Sequence, residues 1–255
     1  MPWASFFVIH NGTMPQDAFD ISVVIPAKNE EFRLPQFLQS LITYCRASAL
    51  RYEIIVVDDG STDKTAELTL AFQKTYPDLS FIKLGRNHGK GYAVKEGLLA
   101  AHGKVILFMD ADGSTSPDEI EKNMGFFAEG YDIVIGSRVL QNDTSRVKAL
   151  FYRRLMGSIF NFFVSTFLIK GIKDTQCGFK MFRQEIIRPL WENIRLEGFG
   201  FDLEVLYAAQ LMDYKIKEVA VNWKHADNSK VDLIRDSMRM LVNIFQIRSW
   251  YSKRI

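Results

Sequence analysis

Only two cysteines, Cys45 and Cys177, occur in the 255 residues, far apart and outside any CxxC spacing. Neither a disulfide framework nor a cysteine-based zinc site can be built from them, so a reducing compartment, the cytoplasm, is expected. Charge of one sign is lacking too: 32 basic residues against 30 acidic leave a net +2, too little for a broad electrostatic footprint on nucleic acid. No nucleic-acid partner is expected, and any basic function must be local. Long apolar runs are missing as well. The longest, Ile159 to Ile169, is interrupted by Asn161, Ser165 and Thr166 and bounded by Arg154 and Lys170, whereas a bilayer span needs roughly twenty apolar residues. The short run Phe6 to Ile9 has no basic flank before it and no small-residue cleavage site after it, which does not make a signal peptide. Without a secretory route, the sequons at Asn11 and Asn142 read as chance matches. Internal repeats and low-complexity linkers are also absent.

What is present is a hydrophobic content of 47%, enough for a substantial core in one α/β domain. After an irregular segment over 1–20, apolar runs alternate with longer amphipathic stretches. The runs are Ile21 to Pro26, Tyr52 to Val57, Ser80 to Leu84, Lys104 to Met109 and Asp132 to Ile135. Val/Ile-rich runs without polar alternation suit strands covered on both faces, the βαβ rhythm of a parallel sheet. Helices are predicted over Leu34 to Ala49, Thr62 to Thr75 after Ser61, Gly91 to Ala101 and Pro117 to Ala128. The last opens well, with Pro117 for the first turn and Glu119 and Glu121 against the helix dipole. Beyond Val147 the rhythm changes to a segment rich in Phe, Arg and Leu, a loop at Lys173 to Gly178, mixed short elements and a helix near Val231 to Trp250.

Ligands of open α/β sheets sit beyond the carboxyl ends of the strands, which directs attention to Pro26, Asp58-Asp59 and Asp110 to Asp112. Strand alternation would put Asp110 and Asp112 on one face, where two carboxylates are unfavourable unless a cation lies between them. Hard oxygen ligands suit Mg²⁺ or Mn²⁺ bridging to a diphosphate. The bland alternative is a solvated turn, since Asp and Gly favour turns. At Asp58-Asp59, one carboxylate can accept from a base or ribose while the other caps a helix. The stretch Gly85 to Gly91 matches neither a Walker A loop nor GxGxxG. It leaves Arg86 and Lys90 near a helix start, suited to a diphosphate or to an ordinary loop.

The succession Ser22 to Glu30, Val56 to Ser61, Asn87 to Val94, Asp110-Ala111-Asp112 and Gly136-Ser137-Arg138 resembles family 2 glycosyltransferases. Ile172 to Lys180, Phe201 to Glu204 and Val221-Asn222-Trp223 are similar to the dolichyl-phosphate glucosyltransferase branch, close to the mannosyltransferases that act on the same carrier. The resemblance spans about residues 20 to 248. It implies an α/β GT-A fold, a Rossmann-like, mostly parallel sheet flanked by helices with interfacial helices near the C-terminus. Residues 21–138 would form the nucleotide-sugar half of one domain and 139–255 the acceptor and membrane half. It implies that Pro26, Ala27 and Glu30 line the nucleotide pocket, that Asp58 contacts the base, and that Lys90 and Asp110 serve the donor. Asp110 and Asp112 would hold the metal. Ser114 stands where the mannosyltransferases place a metal-site glutamine. Arg138, with Arg153 or Arg154, would hold an acceptor phosphate, and Asp174 would lie near the reacting centre.

The implied reaction is transfer of a hexose, glucose from UDP-glucose, to a polyprenyl phosphate with inversion; Asp112, Arg138 and Asp174 are the catalytic candidates. GDP-mannose or another nucleotide-sugar as donor, or a soluble acceptor, are the rivals within the class. A sugar nucleotidyltransferase would need a Gly-rich loop after the first strand, and Pro26 to Glu31 contains no glycine. A non-catalytic nucleotide-sugar sensor is the rival from another class. Eukaryotic members carry an N-terminal anchor, and this sequence starts almost at its first strand, so peripheral contact with the cytoplasmic face of a membrane is expected from elsewhere. Val147 to Lys170 combines Phe151, Phe162, Phe163 and Phe167 with Lys148, Arg153 and Arg154, which fits an interfacial helix or a core helix with a basic solvent face. Trp250, Tyr251, Lys253 and Arg254 would add a second contact or form a frayed tail.

Overall fold

The computed structural model describes residues 19–140, 164, 168–224 and 233–252. In chain order the elements are β1 (Phe19–Ala27), α1 (Leu34–Ala47), β2 (Tyr52–Asp58), α2 (Thr65–Thr75), β3 (Leu79–Lys83), α3 (Lys90–Ala100), β4 (Gly103–Met109), α4 (Glu119–Ala128), β5 (Ile133–Ser137), β6 (Phe179–Arg183), α5 (Gln184–Trp191), α6 (Phe201–Leu211), β7 (Ile216–Ala220) and α7 (Leu233–Tyr251). The continuous Val/Ile runs become strands buried on both faces because alternate side chains enter two separate cores. Val24, Ile55, Val57, Ile106 and Phe108 meet Val94 of α3, Trp191 of α5 and Leu206 of α6 on one side. Val23, Ile25, Ile54, Val56 and Leu107 meet Phe37 and Leu41 of α1 and Ile120 of α4 on the other.

The sheet order is β3-β2-β1-β4-β6-β5-β7. β1 is parallel to β2 and β4, β2 to β3, and β5 to β7. β6 runs antiparallel between β4 and β5. The βαβ rhythm did not foretell this strand, because the pairing of Phe179–Arg183 with β4 is a non-local event. Its consequence is geometric: Met109 at the end of β4 faces Phe179 at the start of β6. The loop before β6 is thereby delivered to the same edge as the carboxyl ends of β1, β2, β4 and β5.

Local boundaries shift for identifiable reasons. β1 starts at Phe19, inside the segment expected to be irregular. α2 begins at Thr65 rather than Thr62, since the Asp63 carboxylate accepts from the Thr65 N–H at 2.9 Å while the Ser61 hydroxyl accepts from Asn29 N–H. Pro117 lies in a turn before α4, which begins at Glu119. Tyr251 is no interfacial residue. It is buried, its ring edge-on to Tyr207 and its hydroxyl 3.2 Å from Glu204 Oε1. Most of Val147 to Lys170, including Arg153 and Arg154, lies outside the described residues, as do Asn11, Asn142, Lys253 and Arg254. Val164, Leu168 and Ile169, at its described end, are buried in the core shared by α3, α5 and α6. Among the described residues, no helix is long and apolar enough to cross a membrane.

Candidate active site

β1 and β2 run in register to Ala27 opposite Asp58, and the two following loops are stitched together. Asp59 N–H donates to Ala27 O at 2.9 Å and Thr62 N–H to Asn29 Oδ1 at 2.8 Å. Asp58 is fully buried; its Oδ1 accepts from Ser61 N–H at 3.1 Å, while Oδ2 is buried with no hydrogen-bond partner. Burial raises its pKa against the pull of Ser61 and Lys83. A buried acceptor left unsatisfied costs about 1–3 kcal/mol, so a ligand N–H at this spot would be rewarded. Pro26 and Ala27 flank it on the neighbouring strand. Glu30 is turned to Arg33, whose Nε donates to Oε2 at 2.7 Å.

The Asp59 carboxylate accepts from His88 N–H at 2.7 Å and Gly89 N–H at 2.9 Å, which pins the start of α3. Gly89 has φ +113°, and a Cβ there would lie 2.5 Å from Glu197 O. Here glycine lets the 194–200 loop approach the backbone. Lys90, the first residue of α3, places Nζ 2.6 Å from Asp110 Oδ1 and 5.4 Å from the centre of the Phe108 ring.

β4 ends at Met109, so Asp110 and Asp112 both lie past the strand and alternation is not what aligns them. A turn does, with Gly113 at φ +67° donating its N–H to Asp110 O at 3.4 Å. Asp112 Oδ1 accepts from Ser114 N–H at 2.9 Å and Oδ2 lies 3.9 Å from Arg33 Nη1. Arg33 feels both carboxylates, as does Lys90, which places the pair in one electrostatic environment. Burial raises the Asp110 pKa, but Lys90, Lys180 and Arg138 outweigh it and hold the carboxyl below the usual range. Gly178 cradles this group. A Cβ there would meet Asp110 Oδ2 at 1.9 Å.

Among the described residues no set of three or more His, Cys, Asp or Glu forms a closed metal cage. Two partly exposed carboxylates with hard oxygens nonetheless fit Mg²⁺ or Mn²⁺, which keeps several positions for water and for phosphate oxygens of a substrate. Ser114 contributes its backbone: the N–H serves Asp112 and the carbonyl accepts from Lys224 N–H at 2.8 Å.

Arg138, just after β5, meets Asp174 from the loop before β6. Its backbone N–H and Nε donate to Oδ2 at 2.9 and 2.8 Å, and Nη2 donates to Oδ1 at 2.8 Å. Asp174 is buried, which raises its pKa, yet the Arg138 hydrogen bonds and charge keep it below the carboxylate range. The Arg138 side chain remains 38% exposed and lies 5.7 Å from the Trp223 ring centre. Glu218 sets the loop by accepting from Asp174 N–H at 2.8 Å.

An acidic strand end facing basic side chains at the carboxyl edge of such a sheet is what a nucleotide-sugar site requires, and the family model described as glycosyl transferase family 2 matches residues 22–191. The chain belongs to this family. This glycosyltransferase is 40% identical to a dolichyl-phosphate beta-glucosyltransferase of Dictyostelium discoideum, over 93% of its own length and 76% of the relative's. The enzymes of the same name from Homo sapiens and Saccharomyces cerevisiae are each 35% identical, covering 91% of the chain and 75% of theirs. Among solved structures, glucosyl-3-phosphoglycerate synthase from Mycobacterium tuberculosis with Mn²⁺, UDP and glucosyl-3-phosphoglycerate superposes with a TM-score of 0.66 at 22% identity. That match covers 91% of this chain and 80% of the other. The sheet is mixed but mostly parallel and flanked by helices, the GT-A architecture expected.

Residue patterns alone did not single out several side chains that the fold brings to the candidate site. Lys180 is 1% exposed, with Nζ 2.7 Å from both Asp202 Oδ1 and Cys177 O. Asp202 is buried, and burial raises its pKa against the pull of Lys180 and Lys90. A lysine inside an apolar strand was the available signal, since Lys is almost never fully buried unless paired. Arg33 and Glu218 carried no such mark; only their partners across the fold give them a place, whereas Asp59 stood out at its strand end and is seen to cap the start of α3.

Proposed function

We propose that this glycosyltransferase moves glucose from UDP-glucose to the phosphate of a dolichol-type polyprenyl carrier, with inversion at the anomeric carbon. The carrier and sugar follow from the names of relatives at 34–40% identity over most of the chain. The observation that carries the acceptor class is the pairing of Arg138 with Asp174. A hydroxyl acceptor needs a general base, but the carboxylate placed for that duty has its lone pairs taken by three hydrogen bonds from Arg138 and its pKa lowered, which makes it a poor proton acceptor. A phosphate monoester needs no base, because its second pKa is near about 6. It needs a cation, and the guanidinium of Arg138, on a side chain more than a third exposed, is one.

In this reading Pro26, Ala27 and Glu30 frame the nucleotide, and the unpartnered Oδ2 of Asp58 accepts the base N–H. Asp110 and Asp112 hold Mg²⁺ or Mn²⁺, which when bound supplies Lewis-acid stabilisation of the leaving diphosphate. Lys90 and Arg33 add positive charge on the same side. Arg138 orients the acceptor oxygen, with Asp174 as its positioning partner, so the work is proximity and charge neutralisation. Residues 21–138 form the donor half and 139–255 the acceptor and membrane half, the latter peripheral on the cytoplasmic face. The exposed Val242 and Phe245 of α7 supply apolar contact in this reading. The test is a panel of nucleotide-sugars with polyprenyl phosphate, free glucose and a simple alcohol as acceptors, read by product mass. Glucosyl-lipid phosphate from UDP-glucose is expected; transfer to the hydroxyl acceptors alone would overturn the reading.

A further inference from the structure

We infer that Lys90 is an exchangeable counter-ion, holding Asp110 in the nucleotide-free chain and passing to the donor diphosphate when a divalent cation takes Asp110. The inference rests on the proposed reading of Asp110 and Asp112 as the metal site. Two lysines serve the inner carboxylates, and they are built differently. Lys180 extends from the middle of the buried strand β6, opposite Phe108, with Nζ held between Asp202 and a backbone carbonyl and its side chain 1% exposed. It is fixed. Lys90 is the first residue of α3, follows Gly89, and has a side chain 20% exposed. Its ammonium touches Asp110 and also feels Asp112 and Asp202.

An ammonium 2.6 Å from Asp110 Oδ1 occupies the place that a divalent cation bound to that oxygen would take. A cation arriving alone displaces Lys90 from its 2.6 Å contact and leaves it only the longer-range pull of Asp112 and Asp202, against the cation's own charge. A cation arriving with UDP brings a diphosphate at the helix start, where backbone N–H groups and Lys90 can receive it. Metal and nucleotide binding are therefore coupled through this side chain in addition to any direct metal–phosphate contact, and such coupling must be reciprocal. A purely structural role for Lys90 predicts the opposite sign: without it, Asp110 would lose its support and bind metal less well.

The experiment is calorimetric titration of the full chain with Mn²⁺ alone, UDP alone, and Mn²⁺ in the presence of UDP. It is run on the unaltered chain, Lys90→Met and Lys90→Gln, each checked for folding by thermal melting; Lys90→Gln carries the test if the methionine variant is unstable. In the unaltered chain UDP is expected to tighten Mn²⁺ binding on the order of tenfold or more. In the variants Mn²⁺ alone should bind about tenfold tighter, UDP alone more weakly, and the mutual enhancement should shrink to the part that direct metal–phosphate contact supplies. Unchanged or weaker Mn²⁺ binding by both variants, with the unaltered chain binding Mn²⁺ and UDP normally, would overturn the exchange alone. Failure of the unaltered chain to bind Mn²⁺ even with UDP would remove the metal reading and the exchange with it.

Discussion

The carboxylate of Asp110 fills the space that a side chain on Gly178 would need, with Oδ2 1.9 Å from the position of a Cβ there. β4 and β6 bring the two residues together, and Asp110 N–H donates to Gly178 O at 3.1 Å. The antiparallel strand thus shapes the acidic site that ends a parallel one.

Gly178→Ala should drive Asp110 from its place. A displacement near 1 Å at a reacting group costs about a hundredfold in rate, and overpacking costs about 1–3 kcal/mol of stability. Initial rates with UDP-glucose and polyprenyl phosphate, beside a urea melt, check both. Full activity would show that Asp110 tolerates relocation.

Asp112→Ala should abolish metal-dependent transfer, with a loss of about a hundredfold or more, as for removal of a preorganised electrostatic group. The side chain is 26% exposed on a turn and accepts the Ser114 N–H, so stability should fall by no more than about 1 kcal/mol. Rates across a Mn²⁺ series and a thermal melt separate the two effects. Undiminished transfer would remove the metal site.

Arg138→Ala should weaken transfer to lipid phosphate far more than UDP-glucose binding, as read by kinetics and calorimetry. It also strands a buried carboxylate, at about 2–4 kcal/mol, below the figure for a fully buried pair because the guanidinium is over a third exposed. The sign with pH follows from Asp174, whose folded pKa lies below its reference value of 3.8. The pair's stabilisation is complete above that reference value and is lost as pH falls through the folded pKa. In the variant, burial raises the Asp174 pKa instead. The stability gap between the two chains is therefore expected to be widest at neutral pH, to begin narrowing above about pH 4, where the variant's raised carboxyl takes up its proton, and to keep closing as pH falls through the lowered Asp174 pKa of the unaltered chain, as read in urea melts.

Lys180→Met should destabilise by about 3–5 kcal/mol, because Asp202 is left buried with an uncompensated charge. Lys180→Met with Asp202→Asn should recover most of the loss, since both charges are then gone. A double-mutant cycle measured by chemical denaturation tests this. Equal loss in the single and double variants would show that packing, not charge, is at stake.

Much of the donor side was legible because its signals are local. A strand buried on both faces must be apolar throughout, which marks Ile21 to Pro26, Tyr52 to Val57 and Lys104 to Met109; the observed strands extend these by no more than two residues at either end. Acidic residues at the ends of β2 and β4 stand out against such runs. Asp110 and Asp112 were recognisable as a pair, but their common setting comes from a turn and not from strand alternation. Arg138 and Asp174 were both recognisable, but not their bond, which joins residues 36 apart. Lys180, Asp202, Arg33 and Glu218 depend on contacts that no local pattern encodes.

Composition and periodicity by themselves determined an α/β chain with its chemistry at the carboxyl ends of buried strands, because hydrophobic spacing decides which segments can be covered on both sides. The succession of motifs determined the glycosyltransferase family. Only the tertiary structure decided which charge meets which: Lys90 on Asp110, Lys180 on Asp202, Arg138 on Asp174. The physical reason is that a charge removed from water must find its partner in space, and β6, inserted antiparallel between β4 and β5, sets those distances.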